Sequence, residues 1–130
     1  LFIAGLMLYW GEGDKKIENC TIGLSNSEPA IIRTFYIFLI NVMRIPKEKI
    51  TFSLILYPDL IDSVQKNFWN TITGIPLSQF RKSVFIKGRH PKRRLSYGVG
   101  IIRTGGRKHK EKLLKWIELY KNEFNNQIVV

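Results

Sequence analysis

The sequence has few of the residues that most often carry chemistry. Its 130 residues include one cysteine, Cys20, and two histidines, His90 and His109. A single cysteine excludes an intrachain disulfide, so no disulfide partner is expected, and the Cys and His positions show no metal-ligand spacing. Cys20 reads as an ordinary core residue, and a lone cysteine fits a reducing, cytoplasmic setting. Acids are also scarce, 10 against 21 Lys and Arg, for a net charge of +11. Long apolar runs are missing too. The opening LFIAGLMLYW covers ten residues without a basic leader. It is too short to span a bilayer and lacks a signal-peptide layout. The chain opens at Leu1 without Met, and the run reads as a helix cut from a longer protein or from a trimmed chain. There is no internal repeat and no low-complexity tract.

Apolar residues make up 45% of the chain, enough to fill one core, and the length suits a single domain over residues 1–130. A helix is predicted over Phe2 to Trp10, stopping at Gly11-Glu12-Gly13. A strand follows over Ile17 to Ser25, with Cys20, Ile22 and Leu24 on one side. Ser27-Glu28-Pro29 marks a helix start, and Ile31, Ile32, Phe35, Phe38, Leu39, Val42 and Met43 recur at helical spacing up to Arg44. Ile50 to Tyr57 is a second strand, with Ile50, Phe52, Leu54 and Leu56 inward and Thr51 and Ser53 outward. Leu60 to Thr73 is a helix held by Ile61, Val64, Phe68 and Ile72, and stopped by Gly74 and Pro76. Ser83 to Gly88 and Leu95 to Thr104 read as a hairpin around the basic loop Arg89 to Arg94. Lys108 to Asn125 is a last amphipathic helix with Leu113, Ile117, Tyr120 and Phe124 as its stripe. The order α-β-α-β-α-β-β-α predicts an α+β domain: a four-stranded mixed or antiparallel sheet, helices on one face, the other face open.

Thirteen of the 21 basic residues, and one of the 10 acids, fall between residues 81 and 115, so this segment carries +12 and the remainder −1. Phosphate binding with counterion release is a direct physical reason to concentrate charge in this way. A membrane surface and plain solubility are the weaker readings. Lys87, Arg103, Thr51, Ser53 and Asn26 are placed to reach base edges. Arg81, Arg89, Lys92, Arg93, Arg94, Arg107 and Lys108 suit phosphate contacts. The aromatics do not interleave with the charge as in a single-strand stacking platform, so duplex DNA is the expected partner and no membrane is.

The segment Leu8-Tyr9-Trp10-Gly11-Glu12-Gly13 places an acid at the negative end of a helix dipole, an unfavourable position unless a cation sits beside it. Hard divalent cations take carboxylate and backbone carbonyl oxygens, and a helix C-terminus offers both. A glycine-capped helix end followed by a solvated acid is the plain alternative. Helix, Gly-Glu-Gly and strand, together with Ser25-Asn26-Ser27-Glu28-Pro29, Phe68-Trp69, Thr73-Gly74-Ile75-Pro76, Gln79-Phe80, Lys82 and Tyr97-Gly98, resemble the LAGLIDADG homing endonucleases. The likeness is to a prokaryotic branch in which such a domain often follows a helix-turn-helix. It covers nearly the whole chain.

The resemblance implies a homodimer paired through the N-terminal motif helix, with one acid from each copy. It implies Glu12 and the Gly11 carbonyl as ligands of Mg²⁺ or another divalent cation, hydrolysing phosphodiesters of duplex DNA. Lys82 or Lys87 would steady the transition-state charge. Two departures stand out. Aligned on the acid, the positions where the family packs Ala-Gly carry Leu6 and Met7, and the first strand leads directly into a helix where the family has a hairpin. A non-catalytic DNA-binding regulator and an RNA-binding splicing helper of the same fold therefore stay open beside the nuclease.

Overall fold

The computed structural model describes residues 1–87 and 97–127. Its elements follow the expected order: α1 (Phe2–Glu12), β1 (Thr21–Asn26), α2 (Pro29–Asn41), β2 (Ile50–Leu56), α3 (Asp62–Thr73), β3 (Val84–Phe85), β4 (Val99–Gly105) and α4 (Arg107–Asn125). Short 3₁₀ turns at Lys47–Lys49 and Leu77–Gln79 complete the path. The strands form one mixed sheet in the order β1-β4-β2-β3.

The alternation in β1 and β2 explains which way the sheet faces. Ile22 and Leu24, and Ile50, Phe52, Leu54 and Leu56, are buried, while Thr21, Ser25, Thr51 and Ser53 retain solvent contact. Period-two alternation puts each set on one side of the sheet. The apolar side meets the helices: α2 packs on β1 and β4, with α1 and α3 on either side of α2 and α4 beyond α1. Phe35 and Phe38 of α2 sit at the centre, with ring centroids 5.6 Å apart, and Tyr9 of α1 stacks on Phe35 at 5.7 Å. A Cβ on Gly5 would lie 2.1 Å from the Phe38 ring, so this glycine of α1 lets α1 and α2 pack closely inside the chain.

Several expectations are overturned. Among the described residues β3 and β4 do not pair as the predicted final hairpin: β4 lies between β1 and β2, antiparallel to both, while β3 pairs parallel to β2 at the edge. Val84 and Phe85 are 62% and 42% exposed, so β3 lacks the buried face that would earn an inner place, whereas β4 offers Ile102 and Thr104 to the core. Secondly, α3 turns a different face inward. Gln65, Trp69 and Thr73 are buried, while Ile61, Val64 and Ile72 are 63%, 54% and 39% exposed. The cause lies on β4. A Cβ on Gly100 would stand 2.7 Å from Trp69 Cζ3, so the missing side chain makes the slot that the indole fills, and Trp69 Nε1 donates to the Tyr97 carbonyl at 2.9 Å. Gly98 has φ 80, and a Cβ there would lie 2.4 Å from the Ile55 carbonyl oxygen. The largest side chain takes the interior, and helix geometry then rotates Val64 and Ile72 outward.

Thirdly, β1 begins at Thr21 rather than Ile17, because residues 14–20 form a turn; Cys20 belongs to that turn and is exposed, not core. Lastly, α2 ends at Asn41 rather than Arg44, the chain reversing through Arg44 at φ 58, and on α4 Phe124 is 47% exposed while Lys110 is fully buried. No helix among the described residues is long and apolar enough to cross a membrane.

Candidate nucleic-acid interface and carboxylate site

The end of α1 is built from its own residues. The helix runs two residues past Trp10, to Glu12, and its cap Gly13 is extended at φ −85. Gly13 then bridges Leu24, and the Asp14 amide donates to the Gly23 carbonyl at 3.0 Å. The helix therefore delivers Glu12 directly to the outer edge of β1. The Tyr9 hydroxyl donates to the Asp14 carbonyl from below, and burial pushes its pKa up to about 12, so it stays protonated as a donor. The Asp14 carboxylate accepts from the Lys16 amide at 3.1 Å and the Asn19 side chain at 2.7 Å. The Lys16 amide holds its carboxyl below the usual range. Lys110 reaches from α4 to donate to the carbonyls of Asn19 and Thr21 at 2.5 and 2.9 Å. This lysine of the basic stretch thus secures the turn and does not face a phosphate.

Two concavities meet at Glu12. A polar pocket of about 330 Å³ over the open sheet face is lined by Glu12, Asp14, Asn19, Thr21, Ser25 and Arg103, among others. An apolar groove of about 560 Å³ along the outer sides of α1 and α2 is lined by Ala4, Met7, Leu8, Gly11, Ala30 and Ile31, and Glu12 closes its end. The Glu12 carboxylate is exposed and enters no ion pair among the described residues.

The open face has a definite register. Arg103 on β4 lies between Gly23 and Thr51, and Ile101 lies between Ser25 and Ser53. Arg103 is an exposed cation at the middle of this face, and Thr51 donates to its carbonyl at 3.5 Å. Of the other expected contacts, Asn26 is committed locally, its Oδ1 accepting from the Glu28 amide at 2.8 Å. Arg107 is ion-paired to Glu111 at 2.9 Å, which raises its pKa further. Lys108 is exposed in the first turn of α4, and Arg81 flanks a second polar cleft with Lys47, Glu48 and Ser78. Arg89, Lys92, Arg93 and Arg94 lie outside the described residues. Lys82 and Lys87 are exposed, flanking edge strand β3. Three strand spacings separate that edge from β1, about 14 Å at the usual interstrand distance, so neither lysine is a neighbour of Glu12 within one chain.

The cation that does serve the end of α1 is Lys15, whose ammonium donates to the Trp10 carbonyl at 2.8 Å and the Gly13 carbonyl at 3.4 Å. Sequence reasoning passed over it because it lies outside the basic stretch. Its position three residues after an acid that ends a helix was the available signal. Among the described residues, no cluster of three or more His, Cys, Asp or Glu side chains can hold a metal. At the end of α1 the described residues offer the exposed Glu12 carboxylate beside helix-end carbonyls, which are hard oxygen donors. No protein-family model, curated protein or solved structure matches this chain.

Proposed function

We propose that the chain binds duplex DNA across its open sheet face, pairs with a second copy along α1, and hydrolyses phosphodiesters at Glu12. The observation that carries this reading is the place of Glu12, at the junction of the apolar groove and the polar pocket that holds Arg103.

Gly11 supports the pairing. A Cβ there would meet nothing within 4 Å, so no contact inside the chain requires glycine, yet glycine costs a helix about 1 kcal/mol relative to alanine. Ala4 and Gly11 leave the groove shallow enough for a second helix to approach closely. Leu6 is fully buried and cannot take part; the pairing surface is Ala4, Met7, Leu8 and Gly11 instead. A two-fold axis beside this groove brings both Glu12 carboxylates to the same end, supplying the second acid that one chain lacks.

Glu12 and the Gly11 carbonyl would hold a divalent ion, which when bound supplies charge neutralisation at the phosphate and a lowered pKa for water. Arg103 places the duplex and offers its guanidinium to a phosphate or a guanine edge. Thr51 and Ser53 line its path, and Lys108 and Arg81 add phosphate contacts at the rim. Lys82 and Lys87 are too far to act on the same chain's Glu12 and serve the duplex further along. The fold alone also suits a regulator that binds without cutting.

The test is incubation of the purified chain with Mg²⁺ and a randomised duplex library. Cutting by wild type, lost in Glu12→Gln with DNA affinity retained, supports the nuclease. Binding without cutting by either protein leaves the regulator, and preference for structured RNA over duplex rejects both.

A further inference from the structure

The open face of the sheet changes character along the strands. Lateral pairing puts Gly23, Arg103 and Thr51 in one row, Ser25, Ile101 and Ser53 in the next, and Val99, Ile55 and Val84 in a third. Laterally paired residues point to the same side of a sheet, so each row presents its side chains together. The first row carries a cation and a hydroxyl. The third carries three β-branched apolar side chains and nothing polar. Val84 is 62% exposed, and Ile55 and Val99 keep part of their surface in water on the side away from the helices. Ile101, in the row between, extends the apolar strip toward Arg103. Single apolar residues on a surface are normal, but a contiguous strip of them marks a contact surface.

Resting on the proposed docking of duplex DNA against this face, we propose that the row of Val99, Ile55 and Val84 reads thymine through its 5-methyl group. That methyl is the apolar group displayed in the major groove, and apolar side chains are its matching contacts. Charge favours a polyanion over a protein as the occupant. Arg81 and Lys82 precede Val84, Lys87 follows Ile86, and Arg103 stands at the other end of the strip, all four exposed. Charged residues are depleted at the core of protein–protein interfaces, whereas phosphates on either side of a groove call for them. Arg103 and Val99 are four residues apart on β4, about 13 Å or about four base-pair steps, so their contacts fall on different base pairs. A face that gains from the methyl also disfavours RNA, whose uracil lacks it and whose major groove side chains cannot read.

Competition of the full chain for two alternating duplexes, one of adenine and thymine and one with deoxyuridine for every thymine, tests this without any cleavage. The wild type is expected to bind the thymine duplex tighter, by about fourfold for each methyl covered. An alternating guanine–cytosine duplex should gain similarly when its cytosines carry a 5-methyl group. Ile55→Thr combined with Val99→Thr keeps both side chains β-branched and removes the preference, with salt-dependent binding retained. Arg103→Gln weakens binding to both duplexes alike. Equal affinity of the wild type for the thymine and deoxyuridine duplexes, or a preference that survives the double substitution, overturns the methyl reading and leaves the docking of duplex standing. Failure to bind either duplex overturns both.

Discussion

At the scale of single residues, a few side chains have a size or charge with one use. Gly100 is the clearest. With its Cβ position 2.7 Å from Trp69 and 2.9 Å from the Phe52 ring, Gly100→Ala is expected to destabilise the fold by about 1–3 kcal/mol in chemical denaturation, the usual cost of overpacking a filled core. Cys20 is the opposite case: exposed on the turn before β1, it should react with a thiol reagent in the folded protein, and Cys20→Ser should shift stability by less than about 0.5 kcal/mol. Asp62 carries a pH dependence. Burial pushes its carboxyl up, but the Ser83 hydroxyl and the Lys66 ammonium at 3.0 Å outweigh it and leave the pKa lowered. The unfolded chain then holds this proton more readily than the folded one. The stabilisation is present above about pH 4 and drains away as pH falls through the folded value. Ser83→Ala should cost about 1 kcal/mol near neutrality and make the acid-side loss of stability shallower.

At the scale of elements, some of the fold was legible in the sequence and some was not, for different reasons. Ile22 and Leu24, and the four alternating residues from Ile50 to Leu56, announced β1, β2 and their buried side, because period two has one interpretation there. Gly74, at φ 76, ended α3 where expected. The buried face of α3 was misread because Ile61, Val64, Phe68 and Ile72 form a better apolar stripe than Gln65, Trp69 and Thr73. Only the slot opened by Gly100, about 30 residues away, decides in favour of Trp69. It follows that Trp69→Ala should cost about 3–5 kcal/mol, whereas Val64→Ser on the exposed stripe should cost under about 1 kcal/mol, measured by urea unfolding. The place of β4 between β1 and β2 was equally hidden, since pairing partners far apart in sequence leave no local mark. At the candidate site, motif and charge singled out Glu12 and Arg103, which line one pocket, but the contacts of Lys15 and Lys110 and the distance of Lys82 and Lys87 from Glu12 required the topology.

At the scale of the molecule, the charge is spread over more than one surface. Arg103 is on the open face, Lys108 at the start of α4, Arg81 at the opposite flank, and Lys110 is inside. With about six phosphate contacts, affinity for a long duplex should fall by about a thousandfold between about 50 and about 200 mM salt, and a flat dependence would remove the phosphate reading. The proposed binding mode places the duplex on the open sheet face beside Glu12. Amide chemical-shift mapping of the ¹⁵N-labelled chain with a short duplex tests it most directly. The expected result is perturbation concentrated at Gly23, Ser25, Thr51, Ser53, Ile101 and Arg103, extending to Glu12 and Asp14. Shifts confined to the outer side of α4, at Lys112, Lys115 and Leu119, with the open face unchanged, would contradict it.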